Sequence, residues 1–203
     1  MSGTRVGILA VQGAFIEHRR KLEELGMTCL ELRSANDARK HYDRLVLPGG
    51  ESTAQGKLIH DLGMAETLRG RILGGMPVLA TCAGLILLAE RIEGDEGSSH
   101  LAEDTSSARC EVQGLRTLPV TVRRNAYGRQ RASFHAQGDF GDMSDVPLTF
   151  IRAPYITETR DDVTIMTRRD GHIVAIRYGN QIGLSFHPEL DNDTRIHRFF
   201  CSL

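Results

Sequence analysis

Apolar positions along this chain follow two rhythms, and the change of rhythm divides the sequence in half. In the first half, short runs of β-branched and aliphatic residues alternate with segments whose apolar positions recur every three or four residues. RVGILAV (residues 5–11), TCLELR (28–33), DRLVLP (43–48) and MPVLAT (76–81) predict buried strands. AFIEHRRKLEELG (14–26) predicts a helix closed by Gly26, while QGKLIHDLGM (55–64) and AETLRGRILGG (65–75) predict two more. A further helix is expected to begin directly after Cys82. Alternation of this kind builds a parallel sheet with helices on both faces. The second half turns to strands: TLPVTVRR (117–124), LTFIRAP (148–154) and the stretch 162–186, with hairpin turns at Asp170-Gly171 and Gly179-Asn180. DTRIHRFFCSL (193–203) predicts a closing helix with Asp193 as its N-cap. Residues 93–110 are polar, rich in Gly and Ser and without period, which predicts a surface loop. The expected class is α/β: a mostly parallel central sheet with helices on both faces and added antiparallel strands in the second half.

Composition narrows the function. The 203 residues suit a single domain with a substantial core. With 25 basic against 26 acidic residues, the net charge of −1 leaves no footprint for nucleic acid. No apolar run approaches the roughly 20 residues that span a bilayer. The N-terminus lacks the layout of a signal peptide, so a cytoplasmic protein is expected. Cys29, Cys82, Cys110 and Cys201 are scattered and form no C-x-x-C, which argues against a disulfide framework or a zinc site.

Four predicted strands end in unusual residue groups: Gln12-Gly13, PGGES (48–52), TCAG (81–84) and HPE (187–189). In an open parallel sheet, ligands bind outside the carboxyl ends of the strands, so these groups should converge. Cys82 at a strand-to-helix corner would have helix N–H groups behind it, favouring a thiolate, and the Ala83 N–H would face a developing oxyanion. His187 and Glu189, two apart in extended chain, share a face, with Pro188 fixing its own φ and biasing His187 to an extended conformation. That is the order nucleophile, base, orienter: Cys82, His187, Glu189. PGGES is no phosphate loop, because Gly56-Lys57 comes one residue late and Leu58 stands where Ser or Thr is required. Its paired glycines instead permit close backbone approach and offer the Gly50 N–H as a second oxyanion donor. The Gly49–Gly50 peptide could also rotate and present its carbonyl, leaving the site waiting for a partner.

The set resembles the triad (class I) glutamine amidotransferases, and within them the family of glutaminase subunits of pyridoxal 5′-phosphate synthase. The matching segments are GILAVQGAFIEH (7–18), LPGGEST (47–53), TCAGLILLA (81–89), RNAYGRQ (124–130), FIRAP (150–154) and SFHPEL (185–190). PGG, the Cys-x-Gly turn and HPE recur across triad glutaminases; AVQGAF, RNAYGRQ and IRAP are specific to the vitamin B6 group. The resemblance implies a flavodoxin-like fold, Cys82, His187 and Glu189 as triad, and glutamine-binding positions at Gly50, Glu51, Ser52, Arg124, Ile151 and Arg152. It implies a (β/α)8-barrel synthase partner in a large hetero-oligomer, contacted near Gln12, and no metal or organic cofactor. Arg124 or Arg152 would suit the substrate α-carboxylate. The sequence departs from the family by an insertion around 93–115, by Ala102 in place of a glycine, by Tyr127 for Phe and by His135 where Glu is common. An imidazole glycerol phosphate synthase glutaminase is disfavoured by RNAYGRQ and IRAP, and a non-catalytic relic by the intact triad.

Overall fold

The computed structural model describes residues 3–93, 112–124 and 133–203. The period-2 runs of the first half become β1 (Arg5–Leu9), β2 (Thr28–Leu32), β3 (Arg44–Leu47) and β4 (Val78–Thr81). β1, β3 and β4 are buried on both faces, whereas the edge strand β2 is buried only at Leu32, and the alternation is visible in the core. Val6, Ile8, Val46 and Leu79 pack on one side of the sheet, whereas Leu9, Leu45, Leu47, Val78 and Ala80 pack on the other. Burying both faces with aliphatic side chains is what a parallel sheet between two helical layers requires.

The sheet has ten strands in the order β2-β1-β3-β4-β12-β11-β9-β6-β5, with β10 paired to β11. The new members are β5 (Ala89–Glu93), β6 (Leu118–Arg123), β9 (Tyr155–Thr159), β10 (Thr164–Arg169), β11 (His172–Tyr178) and β12 (Gln181–Leu184). From β2 through β12 all pairings are parallel; β11 then runs antiparallel to β12. Asp170 and Gly171 both have positive φ (48° and 81°), the signature of a type I′ hairpin turn between β10 and β11. A separate ribbon pairs β7 (Ser133–Phe140) with β8 (Met143–Ile151). This is the expected flavodoxin-like α/β arrangement with antiparallel additions.

Helices cover the two faces as the apolar phase dictates. α1 (Phe15–Glu24) turns His18 and Leu22 inward and lies with α6 (Arg195–Cys201) and the β7–β8 ribbon on one face. α2 (Ala35–Arg39), α3 (Ser52–Asp61), α4 (Ala65–Leu73) and α5 (Ala83–Leu88) serve the other face. Gly26 closes α1 at φ 80°, donating its N–H to the Glu23 carbonyl at 2.9 Å.

Several expectations shift. The helix after Cys82 is only six residues long, and Ala89 starts a strand instead. All six helical residues are buried, and Leu115 and Arg116 donate to the Leu87 carbonyl, so packing ends the helix early. Asp193 lies one residue before the N-cap of α6, Thr194; its carboxylate still takes the Arg195 N–H at 2.7 Å. α2, β9 and most of the β7–β8 ribbon went unread in the sequence. The predicted loop 93–110 and the wider insertion 93–115 fall mainly outside the described residues, as do Tyr127 and Cys110.

Candidate active site

Because β1, β3, β4 and β12 are consecutive and parallel, their carboxyl ends share one edge of the sheet. A cavity of about 360 Å³ opens there, and Gln12, Gly50, Glu51, Ser52, Cys82, Arg124, Ile151, Arg152 and His187 all line it. The larger cleft, about 640 Å³, lies at the opposite ends of β4, β6 and β12 and is lined by neither cysteine nor histidine. Chemistry therefore belongs to the smaller cavity.

Cys82 sits at the corner between β4 and α5 with φ 48° and ψ −99°, a conformation L-residues rarely adopt. Its N–H donates to the Leu184 carbonyl at 2.8 Å, which ties the corner to β12. A Cβ on Gly84 would lie 2.1 Å from the Leu47 carbonyl oxygen, so only glycine lets α5 start this close to β3. The thiol is nearly buried, with Sγ 3.9 Å from the Ile151 carbonyl oxygen.

His187 donates its backbone N–H to the Thr149 carbonyl at 2.8 Å, anchoring it to β8. Its Nδ1 meets Glu189 Oε1 at 2.7 Å, with both side chains buried. The pairing comes from a tight 3-10 turn over Pro188–Leu190 rather than from the extended chain expected. With Nδ1 committed, Nε2 is left for the thiol; it is buried and makes no formed hydrogen bond. Burial opposes charge on His187, but the nearby Cys82 sulfur and the Glu189 carboxylate outweigh it and raise its pKa to about 10. Burial alone would raise the Glu189 carboxyl; His18 and His187 outweigh that and lower it.

The Gly49 carbonyl accepts the Ala14 N–H at 3.0 Å. In a trans peptide the Gly50 N–H points the opposite way from this tied carbonyl. Gln12 is half-buried, and its Oε1 takes the Glu51 N–H at 2.9 Å. Fully buried Gln55, unread in the sequence, donates to the Gln12 and Pro48 carbonyls at 2.9 and 3.2 Å. Together they fasten two strand-end loops. Glu51 caps α3, taking the Thr53 and Ala54 N–H groups at 3.1 and 2.6 Å. Arg124 approaches Glu51 at 3.5 Å and the Thr53 hydroxyl at 3.3 Å. Ala83 and Glu189 stand behind the cavity wall, nearly inaccessible. His135 Nδ1 bonds the Thr149 hydroxyl at 2.8 Å, which in turn donates to Asp191 at 2.8 Å, so this departure supports the strand to which the His187 backbone is anchored.

Two fully buried histidines behind Glu189 were also missed: His18 and His197. Their only signal was phase, His18 four residues before buried Leu22 and His197 three before buried Phe200.

An open parallel sheet with a cysteine on a strained corner, facing a buried His–Glu pair, defines a class of α/β proteins organised around a Cys-His-Glu constellation. The chain belongs to the SNO glutamine amidotransferase family, whose profile matches residues 8–203. It is 57% identical over 196 residues to the pyridoxal 5′-phosphate synthase subunit PdxT of Desulfitobacterium hafniense (strain DSM 10664 / DCB-2), covering 97% of this chain and 91% of that protein. The PdxT subunit of Methanocorpusculum labreanum (strain ATCC 43576 / DSM 4855 / Z) is 47% identical over 199 residues, covering 98% and 97%. A crystal structure of a glutamine amidotransferase superposes with a TM-score of 0.85 at 35% identity, covering 97% of each chain.

Proposed function

We propose that this chain hydrolyses L-glutamine to glutamate and ammonia and supplies the ammonia to a (β/α)8-barrel synthase subunit that makes pyridoxal 5′-phosphate. The observation that carries the chemistry is Cys82 on its strained corner, sharing a cavity of about 360 Å³ with His187, whose other ring nitrogen is held by Glu189 at 2.7 Å.

Cys82 gives its proton to His187 Nε2, and the sulfur adds to the side-chain amide carbon of glutamine. Negative charge gathers on the amide oxygen, where the Gly50 and Ala83 N–H groups receive it; one such donor is worth about 3 kcal/mol. The tetrahedral intermediate collapses as His187 protonates the departing nitrogen, releasing ammonia and leaving a thioester on Cys82. His187 then removes a proton from water, which attacks the thioester and frees glutamate and the thiol. Glu189 stabilises the imidazolium at both stages. While the sulfur is free, its charge and the Glu189 carboxylate hold this proton on His187, raising its pKa to about 10 and keeping it ready for the leaving group; once the sulfur is acylated that hold is lost, and the neutral ring can act as base toward water. Arg124 and Arg152 supply guanidinium forks for the α-carboxylate, while Glu51 offers an acceptor for the α-ammonium.

Ile151 and Leu190, 36% and 43% exposed, rim the cavity mouth, and Ile16, 47% exposed, follows the Gln12–Ala14 wall. We assign this apolar rim, with Gln12, to the barrel partner in a large hetero-oligomer. No helix among the described residues is long and apolar enough to cross a membrane; cytoplasmic work beside the barrel fits this reading. The test is ammonia and glutamate release from glutamine, with and without the barrel subunit of a related synthase. Cys82→Ala should abolish release. Persistent hydrolysis in that variant, or none from the wild-type pair, overturns the proposal.

A further inference from the structure

Behind the triad, Glu189 presents its second oxygen to a closed, fully buried cluster. Oε2 makes no formed hydrogen bond, although a buried carboxylate oxygen without a donor is costly. The ring nitrogen facing it is His18 Nε2, at 3.4 Å, with neither side chain accessible to solvent. His18 Nε2 also lies 3.1 Å from the Thr81 hydroxyl, at the end of β4 and immediately before Cys82. On its other side His18 Nδ1 meets His197 Nε2 at 3.0 Å. His197 Nδ1 is the far end of this relay and has no hydrogen-bond partner among the described residues.

We infer that His18, backed by His197, is a positioning residue of the triad: it donates Nε2–H toward Glu189 Oε2 and fixes the carboxylate that orients His187. The assignment rests on reading Cys82, His187 and Glu189 as the catalytic triad. Proton placement decides it. One proton must lie between the two imidazoles, on His18 Nδ1 or on His197 Nε2. Were it on His18, neutral His18 would turn a lone pair toward Glu189, leaving a buried carboxylate oxygen facing another acceptor. With the proton on His197 Nε2, His18 Nδ1 accepts and Nε2–H is a donor that the Thr81 hydroxyl oxygen at 3.1 Å and Glu189 Oε2 at 3.4 Å can share. Only this arrangement directs a donor to the carboxylate, and it leaves His197 Nδ1 as a bare acceptor, consistent with its lack of a partner.

The surroundings keep both rings neutral. His18 faces Glu189 and His187 from the Pro188 turn and Glu17 from its own helix; burial prevails and lowers its pKa. His197 faces His18, Glu189 and Lys21, and burial lowers its pKa to about 3. Two histidines that only filled core space would pair with each other and close their polar ends. Here one end of the pair stops at the triad carboxylate.

The experiment compares His18→Phe, which keeps the ring and removes the donor, with His18→Gln, whose side-chain amide can return an N–H near Nε2. Glutamine hydrolysis is measured with the barrel subunit present, and thermal midpoints are recorded for both variants. His18→Phe should lose about ten- to a hundredfold in kcat with KM for glutamine little changed, the worth of one hydrogen bond to a charged group. His18→Gln should recover most of that loss. Full kcat in His18→Phe, or equal loss in two folded variants, overturns the inference. Should neither variant fold, ¹⁵N-histidine spectra of the wild-type protein between pH 6 and 8 decide: Nε2–H tautomers at both His18 and His197 are expected, and Nδ1–H at His18 overturns it. Wild type inactive even with its partner would instead refute the triad reading, which separates the two failures.

Discussion

Gly49→Ala should damage catalysis far more than folding. Gly49 does not sit at positive φ, so alanine is tolerated by its backbone. The added Cβ would lie 2.2 Å from His187 Cε1, 2.8 Å from Nδ1 and 3.3 Å from Nε2. Ordinary contact begins near 3.4 Å, so the ring must withdraw by about 1 Å or the loop must shift by as much. Either movement strains the 2.7 Å bond from Nδ1 to Glu189 and takes Nε2 away from the thiol. A misplacement of about 1 Å in a reacting group costs roughly a hundredfold, and loss of the base altogether about 10² to 10⁴. Overpacking costs stability about 1–3 kcal/mol, partly offset by the roughly 0.4–1 kcal/mol that Gly→Ala gains through the unfolded chain. For a chain of this length the thermal midpoint should then fall by at most about 10 °C. Ammonia release with the barrel subunit, a melting curve and glutamine binding by calorimetry read the three quantities. A kcat within twofold of wild type in a stably folded Gly49→Ala would refute the placement of His187 as acid and base.

Brief treatment with a glutamine-like electrophile should label Cys82 before Cys29 or Cys201. Burial raises the Cys29 pKa to about 11 and raises that of Cys201, leaving both as unreactive thiols; mass spectrometry showing either labelled first would remove Cys82 from the mechanism. Glu189→Gln should lower kcat while glutamine still binds, because Glu189 touches His187 and not the cavity; simultaneous loss of binding would mark a structural role instead. Stability should fall between pH 6.5 and 5. His197 titrates near 6.5 unfolded and near 3 folded, so its stabilising effect is complete above 6.5 and declines by about 2 kcal/mol by pH 5, with His18 acting in the same direction. Melting curves should show this decline reduced in His197→Gln; an undiminished decline would contradict the assignment.

The apolar alternation of residues 5–81 made the parallel core legible, because strands buried on both faces have little choice of residue. The antiparallel half was legible at turns with backbone demands, such as Asp170-Gly171. β7 was not legible: SFHAQGDF contains four polar or charged positions and two residues, Ala136 and Gly138, that carry little strand preference. Its order comes from Phe134 stacked on Phe150 at 4.6 Å, a contact between separate segments. The length of α5 was hidden for a similar reason, since LILLAE favours helix locally and pairing with β6 redirects it at Ala89. At the site, side chains on strand ends could be read because topology forces them together. The buried histidines could not, because a histidine on an apolar helix face looks the same whether it fills space or faces a carboxylate.

The site concentrates backbone strain where the cavity needs it. Five non-glycine residues have positive φ: among the described residues they are Cys82, Arg116, Asp145, Arg152 and Asp170. Two of them, Cys82 at 48° and Arg152 at 43°, line the 360 Å³ cavity. Such conformations cost on the order of 1–3 kcal/mol each and persist only when their surroundings over-determine them. For Cys82 the determinants are visible: its N–H bonds to β12, the helix behind it is wholly buried, and Gly84 lies against the Leu47 carbonyl of β3. Holding Cys82 at the corner turns the sulfur toward His187 and leaves the Ala83 N–H beside it. Strain in one residue thus fixes where the sulfur sits, and the central strands on either side supply the rigidity that maintains it.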